Sequence, residues 1–151
     1  MRPSNWLAVF ILSAAGVASL TAQQPRTFKG RLSPVAIDVA MQATVAGSGT
    51  VSAVLTGSKL AITGSFEGLR SPATTAQIHK GPVRGVRGPV VAELVVAKAA
   101  DPTSGTIAGS LDLTAIQVAD LEKGRLYVQL QSEKAPDGNL WGWLLLQENR
   151  R

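Results

Sequence analysis

The chain contains a single histidine, His79, the residue type best suited to proton transfer or transition-metal binding near neutral pH. It contains no cysteine, which excludes a disulfide, a thiolate metal site and a cysteine nucleophile. Transition-metal sites need three or four nitrogen, sulfur or carboxylate ligands, and the nearest carboxylates in the sequence are Glu67 and Glu93. The sequence therefore predicts no metal site and no cofactor.

Hydrolytic chemistry has little support in the sequence. Many serines and ten acidic residues leave a Ser-His-Asp arrangement formally open. However, no Gly-x-Ser-x-Gly elbow occurs, and nothing places a serine beside His79. We predict no catalytic residues and assign His79 a hydrogen-bonding role at a strand end, with ligand contact as the alternative.

Three segments that alternate polar and apolar residues position His79 and its neighbours: residues 76–80, 125–131 and 139–146. Such alternation is typical of strands with one buried face. Because residues i and i+2 share a face, each segment has an outward row. The predicted outward rows are Gln77 and His79; Tyr127, Gln129 and Gln131; and Asn139, Trp141 and Trp143.

Trp141 and Trp143 share one face of their strand, which leaves two interpretations open. If they are exposed, the rings form an aromatic platform for sugars or a self-association patch. If the loop of residues 80–88 or a second sheet covers them, they belong to the core. We favour the covered arrangement.

The loop between residues 80 and 90 is rich in glycine, proline and cations. Lys80, Arg84 and Arg87 form its local positive charge, which indicates either a solvated loop or a weak contact with an anion or acidic polysaccharide. Nucleic acid is disfavoured because no basic stripe is interleaved with aromatic residues. A ligand, if bound, is predicted to contact His79, Lys80, Arg84, Arg87, Gln129, Gln131, Trp141 and Trp143.

Residues 1–22 have the pattern of a secretory signal peptide: one early cation, an apolar run and a small residue for cleavage. We predict cleavage after Ala22, with Ser19 as the alternative, and export to the periplasm or the extracellular space. Loss of Arg2 would lower the net charge by one unit from +5. No later stretch is long enough for a membrane span. The predicted domain covers residues 28–146, followed by a tail at 147–151.

Eight to nine short strands separated by turn signals predict an all-β fold, an antiparallel Greek-key β-sandwich of the immunoglobulin-like or superoxide-dismutase-like type. A period of two predicts a strand within residues 33–47, and Gly57-Ser58 predicts a hairpin turn. One short helix is predicted from Thr114, which caps its start, to Lys123-Gly124, which end it.

Several segments together resemble the CHRD domain, the module first described in chordin. They are Ala76-Gln-Ile-His79, Gly88-Pro-Val-Val91, Phe66-Glu-Gly-Leu-Arg-Ser-Pro-Ala73, Leu121-Glu-Lys-Gly-Arg-Leu-Tyr-Val128 and Pro136-Asp-Gly-Asn-Leu-Trp-Gly142. Their order along the chain is that of the family, and the resemblance covers residues 28–146. It also implies the single-domain type that is common in bacterial secreted proteins.

The resemblance also implies which residue types the outward rows usually carry. The family has a second histidine at Gln77, asparagine and histidine at Gln129 and Gln131, and glutamate and arginine at Asn139 and Trp141. Of this ionisable cluster only His79 remains, which predicts a non-catalytic binding or structural module.

The partner is predicted to be an unidentified extracellular protein or glycan, and the oligomeric state stays open. The alternatives are a carbohydrate-binding module that uses Trp141 and Trp143, a degenerate relative of a histidine and carboxylate metal-binding sandwich, and a structural envelope protein without a ligand.

Overall fold

The computed structural model describes residues 23–148, and these residues form nine β-strands, one α-helix and one 3-10 helix. The strands are β1 (Arg26–Pro34), β2 (Ser48–Thr56), β3 (Lys59–Glu67), β4 (Ala73–Lys80), β5 (Val90–Lys98), β6 (Gly105–Asp112), β7 (Leu126–Ser132), β8 (Ala135–Trp143) and β9 (Leu145–Leu146). The α-helix α1 spans Ala115–Glu122, and the 3-10 helix spans Ala40–Ala43.

Eight of these strands form a closed antiparallel barrel in the order β1-β2-β3-β6-β5-β4-β7-β8, with β8 returning to β1. β1 closes the ring because it pairs with β2 from Arg26 to Leu32 and with β8 at Ser33 and Pro34. The two-residue β9 adds a short pairing to β1.

The all-β, antiparallel prediction with one short helix is confirmed, whereas the predicted Greek-key sandwich is wrong. Alternation encodes one buried face per strand in either architecture. Only the pairing of β1 with both β2 and β8 distinguishes a barrel from two separate sheets, and that pairing leaves no strand edge open among these eight strands.

The barrel interior is filled by the inward apolar row of each strand. Fully buried examples are Phe28 on β1, Ile62 on β3, Ile78 on β4, Leu130 on β7 and Leu140 on β8. These inward side chains form one continuous hydrophobic core, which fixes the opposite, outward direction of every alternate residue.

Two local predictions are confirmed where short-range signals are strong. Gly57 adopts the positive φ (62°) of the turn between β2 and β3, a conformation that glycine tolerates best. Thr114 caps α1 in a capping box with Gln117, and Gly124 follows the helix with a φ of 66°. Leu121 is fully buried and attaches this helix to the core.

The strand predicted within residues 33–47 is wrong beyond Pro34, where β1 ends. Asp38 Oδ1 accepts a hydrogen bond from the Met41 backbone N–H, a local contact that competes with sheet pairing and leads into the 3-10 helix. Because the barrel is closed, no edge remains for this segment. Of its alternating apolar residues, Val35, Ile37 and Val39 are therefore exposed, Val39 to 81%, whereas Val45 is buried.

Within residues 23–148, no helix is both long and apolar enough to cross a bilayer. The segment predicted as a signal peptide, residues 1–22, and the end of the predicted tail lie outside the described residues.

Candidate functional site

The pairing of β4, β7 and β8 places the predicted outward rows side by side. Gln77 lies opposite Gln129, which lies opposite Trp141, and His79 lies opposite Tyr127, which lies opposite Trp143. The prediction that these three segments present their polar and aromatic side chains on a common face is therefore confirmed. We call this surface the β4–β7–β8 face.

The β4–β7–β8 face is buried although it lies outside the barrel core. Tyr127 and Gln129 are almost completely inaccessible, His79 is buried, and Trp141 is 6% exposed. Gln77 and Trp143 are half-buried. The two tryptophans therefore do not form an open platform, in agreement with the covered arrangement.

Residues 81–89, here called the cover loop, lie over this face and are attached at both ends. The backbone N–H of Lys80 donates to the carbonyl of Pro89 at 3.0 Å, and that of Gly81 donates to the carbonyl of Arg125 at 2.9 Å. Hydrogen bonds across the barrel surface thus hold the loop base closed.

Gly88 is the central attachment point of the cover loop. Its N–H donates to the Tyr127 hydroxyl at 3.1 Å, and its carbonyl lies 2.9 Å from His79 Nδ1. A carbonyl only accepts, so His79 carries its proton on Nδ1. The predicted role of His79 as a hydrogen-bonding residue near a strand end matches this contact.

The rings beneath the loop pack as an aromatic cluster of His79, Tyr127, Trp141 and Trp143. Tyr127 is stacked on His79 at a centroid distance of 5.1 Å and on Trp141 at 5.4 Å, with interplanar angles of 16° and 6°. Trp143 is tilted by 42° at 4.5 Å from Tyr127. These distances lie in the favourable range for aromatic pairs, so Tyr127 is the centre of the cluster.

Arg87 links the cover loop to this cluster. Its Cζ lies 4.6 Å from the centroid of the Trp141 ring, a cation–π geometry. Its guanidinium also donates to the carbonyl of Asp137 at 2.9 Å. Arg87 therefore covers Trp141, and its charge is engaged within the molecule.

Amide side chains continue the buried network toward solvent. Gln131 Nε2 donates to Gln77 Oε1 at 2.8 Å, and Gln77 Nε2 donates to Glu93 Oε1 at 2.7 Å. Gln131 Oε1 accepts from the Thr75 hydroxyl at 2.9 Å. Both polar atoms of the Gln131 side chain therefore have hydrogen-bond partners within the protein, as is general for buried polar groups.

Lys80 is turned away from the face and joins an ion cluster with α1. Its Nζ lies 2.6 Å from Asp120 Oδ2, and Arg125 Nη1 lies 3.2 Å from Asp120 Oδ1. The hydrogen bond from Lys80, aided by its charge and by Arg125, lowers the pKa of Asp120 against the opposing effect of burial. The cluster ties the end of β4 to the helix and to the start of β7.

The eight predicted ligand-contact residues thus fall into three groups. His79, Gln129, Gln131, Trp141 and Trp143 share the covered face. Lys80 and Arg87 are engaged with Asp120, Trp141 and Asp137. Arg84 is exposed on the cover loop.

Two exposed apolar residues that the ligand-contact prediction did not include lie near Arg84. Val83 and Val86 are 52% and 47% exposed, a high fraction for apolar side chains. The signal in the sequence was a repeated triplet, Val83-Arg84-Gly85 and Val86-Arg87-Gly88. The exposed tip of the cover loop therefore combines two apolar side chains with a guanidinium.

Three buried polar atoms of the covered face have no hydrogen-bond partner in the part of the chain that the structure describes: His79 Nε2, Gln129 Oε1 and Trp141 Nε1. Among residues 23–148, no group of three or more histidine or acidic side chains is arranged to hold a metal ion. The covered face thus consists of packed aromatic rings and buried hydrogen-bonding groups.

Comparison with known proteins identifies a family. No curated protein and no solved structure matches the chain. The family model described as the CHRD domain matches residues 28–144, well over half of the sequence. The chain therefore belongs to the CHRD domain family.

Proposed function

We propose that this protein is an exported, non-catalytic binding module that engages an extracellular protein through the tip of its cover loop. One observation carries the proposal. The loop is fixed from beneath by Tyr127, His79 and Trp141, while the outermost side chains Val83 and Val86 are half-exposed. Membership in the CHRD family supports a binding module in general.

A rigid loop with an exposed tip suits recognition for a thermodynamic reason. Binding costs free energy when mobile side chains and backbone become ordered, and a loop already held in place avoids much of that cost. Scaffold-supported loops are also where binding residues concentrate. The aromatic cluster and the amide network therefore act as the support, and the loop tip acts as the contact.

The chemistry of the tip favours one class of partner. Val83 and Val86 fit a shallow apolar surface, and Arg84 between them has no ion-pair partner within residues 23–148. A guanidinium beside apolar side chains matches a carboxylate flanked by apolar residues. We therefore assign the partner as a protein segment with an acidic residue between apolar ones.

Recognition of sugars by Trp141 and Trp143 has no comparable support. Trp141 is buried, Arg87 lies on its ring, and Trp143 packs on Tyr127. A sugar ring needs an accessible aromatic face for stacking. The two tryptophans are better explained as parts of the loop support.

Selection from a random peptide display library tests the proposal. The bait is the wild-type protein, and the selected peptides are titrated against the triple variant Val83→Ser/Arg84→Ser/Val86→Ser. We expect enriched peptides with an acidic residue between apolar ones, and a roughly tenfold or greater loss of affinity in the variant.

The matched control replaces two exposed valines and a cation elsewhere, in the variant Val54→Ser/Val95→Ser/Lys98→Ser. It should bind the selected peptides as the wild type does. Equal binding to the loop variant, or enrichment of peptides without an acidic residue, would contradict the proposal.

Export is a separate part of the proposal, supported by the pattern of residues 1–22. Expression of the full chain in a bacterium, followed by mass analysis of the periplasmic fraction and medium, tests it. We expect a product that begins at Gln23. A full-length product confined to the cytoplasm would refute export while leaving the loop proposal intact.

A further inference from the structure

A groove of about 900 Å³ crosses the outer surface of β1, β2 and β3, on a different wall of the barrel from the cover loop. Its polar lining comes from outward residues of these strands, which are mostly small or charged. They are Lys29, Arg31, Ser48, Thr50, Ser52, Ser65 and Glu67. The volume falls in the range of ligand sites, but the lining is more hydrophilic than in sites for apolar small molecules.

The strand register arranges these side chains in two rows across the sheet. One row runs from Lys29 on β1 to Ser52 on β2; the next position in this row, Thr63 on β3, lies beyond the groove lining. Each row follows the hydrogen-bonding direction, in which neighbouring strands are about 4.8 Å apart. Each row therefore begins with a cation on β1 and continues across the sheet with hydroxyl groups at regular spacing.

The second row repeats this composition. It runs from Arg31 on β1 to Thr50 on β2 and Ser65 on β3, and it lies about 7 Å from the first because its residues are two positions away along each strand. The groove thus presents two cations along β1 and several serine and threonine hydroxyl groups beside them.

Charge distinguishes this groove from an ordinary polar sheet face. Within residues 23–148, neither Lys29 nor Arg31 forms an ion pair, whereas Lys59 on the same wall lies 3.7 Å from Asp112. Glu67 lines the groove on β3, two strands from these cations. The groove is therefore positive on one side, hydroxyl-rich in the middle and acidic on the other side.

We propose that this groove binds an acidic oligosaccharide, a chain of hydroxyl-bearing rings that carry carboxylates. Lys29 and Arg31 pair with ligand carboxylates, the serine and threonine side chains hydrogen-bond ring hydroxyls, and Glu67 accepts from a further hydroxyl. A polyphosphate fits less well, because it carries no hydroxyl group that could donate a hydrogen bond to Glu67.

The lining also sets the strength of the interaction. The one aromatic residue of the groove, Phe66, is directed into the core and is 3% exposed, so ring stacking does not contribute. Exposed charge pairs and hydrogen bonds to water-accessible hydroxyls are individually weak and screened by salt. The groove should therefore bind short ligands weakly and long ones by repeated contacts.

The test uses oligogalacturonate and the same oligomer with its carboxyls methyl-esterified, titrated by calorimetry against the wild-type protein at low salt. We expect saturable binding of the acid, weaker binding of the ester, and loss of the difference at high salt. In Lys29→Ala/Arg31→Ala, affinity for the acid should fall roughly fivefold and approach that for the ester.

Lys98→Ala/Lys134→Ala is the matched control, because it removes the same charge from exposed positions outside the groove. It should retain wild-type affinity. Equal losses in the two double variants would overturn the proposal in favour of general attraction to a cationic protein. Absence of saturable binding, equal binding of acid and ester, or tighter binding of polyphosphate would overturn it as well. Since the cover-loop tip is unchanged in these variants, the outcome is independent of the peptide selection.

Discussion

Strands β7 and β3 belong to the same barrel but differ completely in their outer surroundings. β7 is buried at all seven residues, whereas β3 alternates between buried and accessible positions. Both direct apolar residues inward, so the difference arises from the outward rows. Tyr127, Gln129 and Gln131 are buried, and Tyr127 is hydrogen-bonded to the cover loop, while Thr63 and Ser65 face solvent.

The comparison teaches that alternating polarity is not the same as alternating exposure. On the β4–β7–β8 face, polar and aromatic side chains form a second packed layer outside the barrel. On the β1–β2–β3 wall, small hydroxyl side chains carry no covering layer. The first wall therefore contributes to stability and loop placement, and the second is free to contact ligands.

The largest expected effect is the loss of Tyr127. We expect Tyr127→Ala to lower the free energy of unfolding by about 3–5 kcal/mol, because it empties a fully buried site and removes the centre of the aromatic cluster. Urea denaturation measures this change. On the other wall, Thr63→Ala should change stability by less than about 0.5 kcal/mol.

Tyr127→Phe separates packing from hydrogen bonding in the same position. It keeps the ring but removes the hydroxyl that accepts from Gly88, and should cost about 0.5–1.5 kcal/mol. If Tyr127→Ala were as mild as Thr63→Ala, the idea of a second packed layer would be refuted.

An intermediate effect is expected from the ion pairs of the two walls. Because the pKa of Asp120 is lowered in the folded state, its pairing with Lys80 and Arg125 stabilises the protein fully above about pH 4, its unfolded value. That contribution is lost as the pH falls through the lower, folded pKa. Asp120→Asn should lower the free energy of unfolding by about 1–2 kcal/mol at neutral pH. The further loss of stability on acidification should then be smaller than in the wild type.

Asp112→Asn provides the comparison, because Asp112 and Lys59 are mostly exposed and 3.7 Å apart. It should leave stability within about 0.5 kcal/mol at neutral pH. Urea midpoints measured across acidic pH test both variants. If the stability of Asp120→Asn fell as steeply with decreasing pH as that of the wild type, the role of the ion cluster would be contradicted.

The smallest expected effect concerns the arginines. Arg87→Ala should cost about 0.5–1 kcal/mol, since it removes the cation–π contact, and should increase acrylamide quenching of tryptophan fluorescence as Trp141 becomes accessible. Arg31→Ala on the open wall should leave both stability and quenching unchanged. Unchanged quenching in Arg87→Ala would mean that the rest of the loop alone covers Trp141.

Much of the covered face could be predicted from the sequence because strand alternation is a local property. The period of two correctly assigned Gln129 and Trp141 to outward rows, and the hairpin at Gly57 and the helix cap at Thr114 follow from short-range chemistry. The family was likewise identified from its motifs, and this prediction is confirmed.

The features that could not be predicted depend on contacts between distant parts of the chain. Alternation in residues 33–47 suggested a strand, yet the pairing of β1 with β2 and β8 leaves no edge for it. The cover over Tyr127 comes from Gly88, a loop residue 39 positions earlier in the sequence. The assignment of Lys80 to a ligand surface likewise missed Asp120, because that contact joins a strand to the helix.

The closing seam of the barrel joins Pro34 to Leu140, residues near opposite ends of the domain. A chain still emerging from the ribosome cannot form this seam until its last long strand is synthesised, and contacts of such large sequence separation slow folding. Until then β1 retains an unpaired edge that is open to association with other chains. The late arrival of β8 should therefore leave nascent or truncated forms prone to association with other chains, whereas β8 pairs with this edge in the completed ring.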